Sequence, residues 1–145
     1  MVRHADLIEM WDADSDIDHN NLVLENARTG KLHSKYVAIL LAENAKYEEM
    51  LVRYEALEEE KRQFYLNGTD EVWRAKGWKE WPGGKVLKTD IGMVLPQDEH
   101  IIEAKIRIGQ QKAKVKFLES IVNHIKERSW LLKNITAEKK FLSGE

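Results

Sequence analysis

The chain has 145 residues, with 23 Lys+Arg against 25 Asp+Glu, 5 His, a formal net charge of −2 and no cysteine. The missing cysteine excludes disulfides, thiolate zinc sites and thiol catalysis, and no run of 18 apolar residues exists that would span a membrane. Charged residues make up 33% and Gly and Pro only 8 and 2 residues, a composition that favours long helices with solvated faces in one ordinary domain.

Four segments follow in chain order, read together as a single domain over 1–145. Residues 1–18 form an acidic leader with one short apolar stripe, Leu7, Ile8, Met10 and Trp11. Its start, Met1-Val2-Arg3-His4-Ala5-Asp6, lacks the apolar core of a signal peptide, so the expectation is a soluble intracellular protein. Residues 19–66 contain no Pro and one Gly and read as a long helix, with Asp18 as its N-cap. A helix broken near Thr29-Gly30 or at Asn67-Gly68 is the alternative. Residues 67–95 hold Gly68, Gly77, Gly83, Gly84, Gly92 and Pro82 and read as an irregular connection. Residues 96–142 are helical again, with Pro96 in the first turn and Asp98 and Glu99 against the positive end of the helix dipole. Charge is uneven: residues 1–66 carry 8 basic and 14 acidic side chains, residues 67–145 carry 15 and 11.

Both long helices carry seams. In the first, Tyr36, Leu40, Glu43, Tyr47, Met50, Tyr54, Leu57, Lys61 and Phe64 alternate in steps of four and three, with two polar interruptions. In the second, Ile101, Ile108, Val115 and Val122 fall seven apart, and Ala104, Gln111, Leu118, Ile125 and Leu132 fill the partner positions. A second apolar face, Ile102, Ile106, Ala113, Phe117, Ile121 and Leu131, lies on neighbouring rows of the same helix. One seam packs within the chain and the other needs another partner. Residues 31–66 as one helix span about 54 Å, against a radius of gyration of about 15 Å for a compact domain of this size. These features predict an all-α, elongated helical hairpin with coiled-coil-like seams that associates with copies of itself. Ile101, Ile108, Val115, Leu118, Val122 and Ile125 are the expected oligomerisation residues.

Catalytic chemistry is not indicated. Asp12, Asp14, Asp16 and Asp18 resemble the opening of a calcium loop, but the Gly and Glu such a loop requires are replaced by Ile17 and Val23. The five histidines show no ligand spacing, Gly83-Gly84-Lys85 is no phosphate loop, and Glu58-Glu59-Glu60 reads as solvated. No metal, cofactor or enzyme activity is expected. Basic and aromatic residues do cluster. Lys61-Arg62-Gln63-Phe64-Tyr65 ends the first helix, and Trp73-Arg74-Ala75-Lys76-Gly77-Trp78-Lys79-Glu80-Trp81, Lys85 and Lys88 follow. Cations neutralise phosphates and aromatic rings accept unpaired bases, a combination suited to single strands. Lys61, Arg62, Tyr65, Arg74, Lys76, Trp78, Lys79, Lys85 and Lys88 are therefore the expected DNA-binding residues. A second basic run, Lys105, Arg107, Lys112, Lys114 and Lys116, reads as the solvated edge of the seam.

The layout resembles the UvsY recombination mediator proteins of T-even-type bacteriophages. The resemblance rests on Leu32-His33-Ser34-Lys35-Tyr36, Lys46-Tyr47-Glu48-Glu49-Met50-Leu51 and Lys61-Arg62-Gln63-Phe64-Tyr65-Leu66-Asn67-Gly68. It continues through Lys85-Val86-Leu87-Lys88-Thr89-Asp90 and Ile125-Lys126-Glu127-Arg128 to the tail Phe141-Leu142-Ser143-Gly144-Glu145. It implies an accessory factor that binds single-stranded DNA, forms a ring-shaped homo-oligomer of six or seven chains, and helps load a RecA-type recombinase onto strands coated by single-strand-binding protein. It also implies DNA contact at Lys61 and Arg62, oligomerisation through the last helix, and work in the cytoplasm of an infected bacterium. The chain departs from the family in Glu58-Glu59-Glu60, where the pattern is more basic, and in a longer, Trp-rich connection. The reading from another class is a coiled-coil structural or scaffolding protein of a virus without DNA-binding activity.

Overall fold

In a computed structural model the chain is all-α over its described residues, 2–68 and 71–144. Met1, Thr69, Asp70 and Glu145, the last residue of the expected tail motif, lie outside them. The elements are α1 (His4–Asp14), α2 (Leu22–Asn67), α3 (Glu71–Ala75), α4 (Ile91–Val94), a 3-10 turn (Leu95–Gln97) and α5 (Glu99–Ser143). No helix among the described residues is long and apolar enough to cross a membrane.

The long helices form where expected, with shifted starts. Asp18 does not cap α2: its Oδ1 accepts the Asn20 N–H at 2.9 Å and its carbonyl the Asn21 N–H at 3.1 Å, shaping a turn ahead of the helix. Pro96 sits in the 3-10 turn, and Asp98 is the true cap of α5, its Oδ1 accepting the Ile101 N–H at 3.0 Å. α2 runs unbroken through Thr29-Gly30. A helical glycine costs only about 1 kcal/mol, and the flanking turns are held by Leu32 and Tyr36, which are buried in the core. The break comes at Gly68, whose φ of +82° a side chain rarely adopts and whose N–H closes the helix on the Phe64 carbonyl at 3.1 Å.

The chain forms two compact units: Met1–Ala45 with Lys112–Glu145, and Lys46–Gln111. In the first, Leu7, Leu32, Tyr36, Leu118, Ile121, Val122 and Ile125 make the core. The acidic leader is part of it. α1 buries Leu7 completely, and Trp11 meets Tyr36 and His124 edge-on at 5.2 and 5.8 Å. Asp14, part of the calcium-like run, accepts from Lys35 at 2.6 Å and from the Tyr36 hydroxyl at 2.8 Å. Burial and this carboxylate push the Tyr36 hydroxyl far above its ordinary pKa. Glu25 meets Arg128 at 2.5 Å and Glu43 meets Lys114 at 3.7 Å, so α2 and α5 run antiparallel here. Lys114, expected on a solvated edge, is buried because Glu43 interrupts the facing stripe. Burial pushes the Glu25 carboxyl up, but bonds from the Asp18 backbone, Arg28 and Arg128 outweigh it and hold it below its ordinary range.

In the second unit the connection folds back over the end of α2. Phe64, Tyr65, Trp78, Val86, Ile91, Val94 and Leu95 form its core, and the Val86 N–H donates to the Tyr65 carbonyl at 2.9 Å. The connection is thus less irregular than its glycines suggested, because Ile91, Val94 and Leu95 anchor short helical turns in that core.

The expected oligomerisation residues are used inside the chain. Ile101, Val115, Leu118, Val122 and Ile125 are buried, and Ile108 is half-buried along a groove it shares with Met50, Tyr54 and Leu57 of α2. The reason is complementarity: the α2 stripe is itself largely apolar and takes up most of the cleaner α5 seam. Of the second face, Ile121 joins the first core, while Ile102, Ile106 and Leu131 remain exposed.

Candidate nucleic-acid interface

The stripe on α2 turns Lys61 inward. Its ammonium lies 3.0 Å from Asp98 Oδ2, 2.9 Å from His100 Nδ1 and 3.9 Å from the centroid of the Trp78 ring. Only 2% of the Lys61 side chain and 3% of the Asp98 side chain are exposed. Tyr65 donates its hydroxyl to the same Asp98 oxygen at 2.5 Å. Burial pushes the Asp98 carboxyl up, but bonds from Tyr65, the Ile101 N–H and Lys61 outweigh it and bring it below its ordinary range. Burial lowers the Lys61 ammonium, opposed by Asp98. Burial and then Asp98 drive the Tyr65 phenol far up, so it stays a donor. Since Asp98 is lowered in the fold, its contribution to stability is present above its unfolded value, 3.8, and is lost as pH falls further through the folded value. The melting-temperature gap between the wild-type protein and Asp98→Asn should therefore close as pH falls below about 3.8, which differential scanning fluorimetry across a pH series measures.

Among the expected DNA-binding residues, Lys61, Tyr65 and Trp78 are thus placed in the core of this unit rather than on its surface. Trp78 packs against Phe64 at 5.4 Å and lies beneath Lys61. Arg62 is half-buried and pairs with Glu58 and Glu59, each at 3.4 Å, and Lys76 pairs with Glu60, so the acidic run is not merely solvated. Arg74, Lys79, Lys85 and Lys88 are exposed and make no ion pair among the described residues. Of the seven cations expected to bind DNA, one is therefore buried, two are paired and four are presented to solvent.

One role escaped the reading of the sequence. Asp98 was legible as a helix opener but not as the counter-charge of Lys61, 37 positions earlier. The inward step of Lys61 on the α2 stripe was the available signal. Trp81 is half-buried and lines two clefts, one with Tyr65 and Lys85 and one with Tyr65 and Lys79.

An all-α chain whose connection carries exposed cations, without ion pairs among the described residues, together with part-exposed aromatic rings has the make-up of a binding protein for a polyanion with accessible bases. The model of the family described as "Recombination, repair and ssDNA binding protein UvsY" matches residues 10–145, and the chain belongs to that family. No curated protein matches its sequence. In fold it is similar to crystal structures of the bacteriophage T4 recombination mediator protein UvsY. One superimposes with a TM-score of 0.83 at 19% identity over 99% of both chains. A second crystal form gives 0.80 at 19% identity, over 94% of this chain and 98% of that one.

Proposed function

We propose that this protein is a recombination mediator that binds single-stranded DNA and helps load a RecA-type recombinase onto strands coated by single-strand-binding protein. Family membership over residues 10–145 carries the reading, and a scaffold without DNA-binding activity is not favoured by it. The contact surface is formed by Arg74, Lys79, Lys85 and Lys88, with Arg62 and Lys76 at its margin. These cations neutralise successive phosphates and release counterions. Lys61, Tyr65 and Trp78 act from within, holding the connection that carries the cations. Copies of the chain associate through apolar side chains that the fold leaves exposed, Ile102 and Ile106 in one unit and Trp130, Leu131, Phe141 and Leu142 in the other. A homo-oligomeric ring of six or seven copies, hexamer or heptamer, would multiply weak strand contacts by avidity. The place of action is the cytoplasm of an infected bacterium, where the phage recombinase and the phage single-strand-binding protein are the partners.

Fluorescence anisotropy with an oligonucleotide at several salt concentrations tests the surface. Replacing Arg74, Lys79, Lys85 and Lys88 by alanine should weaken binding to all sequences alike and flatten the log-log salt dependence by roughly 0.7 for each phosphate no longer neutralised. An unchanged slope would remove these cations from the interface.

A further inference from the structure

The rings near the end of α2 are not equivalent. Trp78 is 9% exposed and capped by Lys61, and Trp73 packs edge-on against Phe64 at 5.6 Å. Trp81 is different. It lines a cleft of about 270 Å³ with Phe64, Asn67, Gly84 and Lys85, and a second of about 190 Å³ with Lys79 and Gln97. Both are smaller than typical sites for drug-sized ligands, roughly 300–1,000 Å³, a size suited to one planar group. Tyr65 meets Trp81 at 6.4 Å and 85°, edge to face, so no parallel ring already occupies a stacking position on it.

The backbone holds this ring in place. The Gly84 N–H donates to the Trp81 carbonyl at 3.0 Å, closing a four-residue turn with Pro82 second and Gly83, at φ +100°, third, the arrangement of a type II turn. Proline restricts Trp81 to extended backbone and removes loop freedom that binding would otherwise cost. A Cβ built on Gly83 or Gly84 meets nothing within 4 Å, so the turn is open on that side. Charge points to the occupant. Lys85 borders one cleft and Lys79 the other, both exposed and without an ion pair among the described residues, while Glu80, which borders both, is already engaged within the protein.

We propose that Trp81 is the base-stacking residue of the strand-binding surface: an unpaired nucleobase enters a cleft beside its ring while Lys79 and Lys85 take the flanking phosphates. This rests on the single-stranded-DNA reading above and names the part of the strand, a base rather than backbone alone, that the protein grips. Duplex DNA, whose bases are already stacked, offers no such group. Any exposed base has a face to stack, so the site tolerates sequence.

The test compares an oligo-dT strand with an abasic strand of equal length and charge. The wild-type protein should favour dT. Trp81→Ala should weaken dT binding roughly 5- to 100-fold, the range set by stacking of one base on one ring, while abasic binding and the salt slope stay as they were. Trp81→Phe should recover part of the loss. Equal affinity of the wild-type protein for both strands would overturn the proposal, whereas binding of neither would overturn the single-stranded-DNA reading itself. A second measurement needs no variant. Photocrosslinking the wild-type protein to a strand carrying 5-iododeoxyuridine should label the tryptic peptide spanning 80–85, in which Trp81 is the sole aromatic residue. Crosslinks confined to other peptides would place the stacked base elsewhere.

Discussion

Replacing Lys61 by methionine is expected to destabilise the protein by about 3–5 kcal/mol, because it leaves a buried carboxylate without its counter-charge. Asp98 is enclosed, 3.0 Å from the Lys61 ammonium, and caps α5 through the Ile101 N–H. Urea denaturation should show a lower midpoint with an unchanged slope. The pair Lys61→Met/Asp98→Asn should recover much of the loss, since an amide keeps the cap and removes the stranded charge. Below the melting range, Lys61→Met should bind single strands with the wild-type salt dependence. A flatter slope in the folded variant would make Lys61 a phosphate ligand after all. The geometry also accounts for the choice of lysine here. A flexible stem delivers one compact charge between a carboxylate, an imidazole nitrogen and the face of Trp78, a space that a planar guanidinium does not match.

Arg128→Met should cost a similar amount, about 3–5 kcal/mol, in the other unit. The Arg128 guanidinium donates to Glu25 at 2.5 Å and to the carbonyls of Asp14, Ser15 and Asp16 at 3.4, 3.2 and 3.3 Å. It therefore fastens the end of α1 to both long helices. Hydrogen exchange should show α1 losing protection first, ahead of the α2 and α5 segments around it. Arg128→Lys should rescue little, because one ammonium cannot serve a carboxylate and three separate carbonyls. Full stability in Arg128→Lys would show that charge alone is enough. Glu25→Gln in the Arg128→Met background should restore part of the loss by removing the unpaired carboxylate.

These two pairs explain why the helices were legible and the site was not. Period and composition are local properties. Nine positions of α2 stepping by four and three, with a single glycine and no proline before Gly68, were enough to predict one long helix and its inward face, and all nine are buried or half-buried. The same holds for the α5 seam from Ile101 to Leu132. The order of segments and their short motifs were enough to recognise the family. Where each seam goes is another matter. The apolar positions of α5 are equally suited to α2 of the same chain and to a second copy, and only the folded chain shows them taken up within it.

Polar residues on a seam are harder still to read. A lysine at an inward position is expensive unless a particular acid meets it, and nothing near Lys61 in sequence marks Asp98 as that acid. Arg128 and Glu25 lie farther apart again. Local pattern was sufficient for the two helices, their inward faces and the cationic, tryptophan-rich character of the link between them. Which of those cations face water, and which of those rings stay open, emerged only from the packing of the folded chain. Exposure and charge pairing depend on contacts between segments far apart in the chain, and helix periodicity carries no record of those contacts.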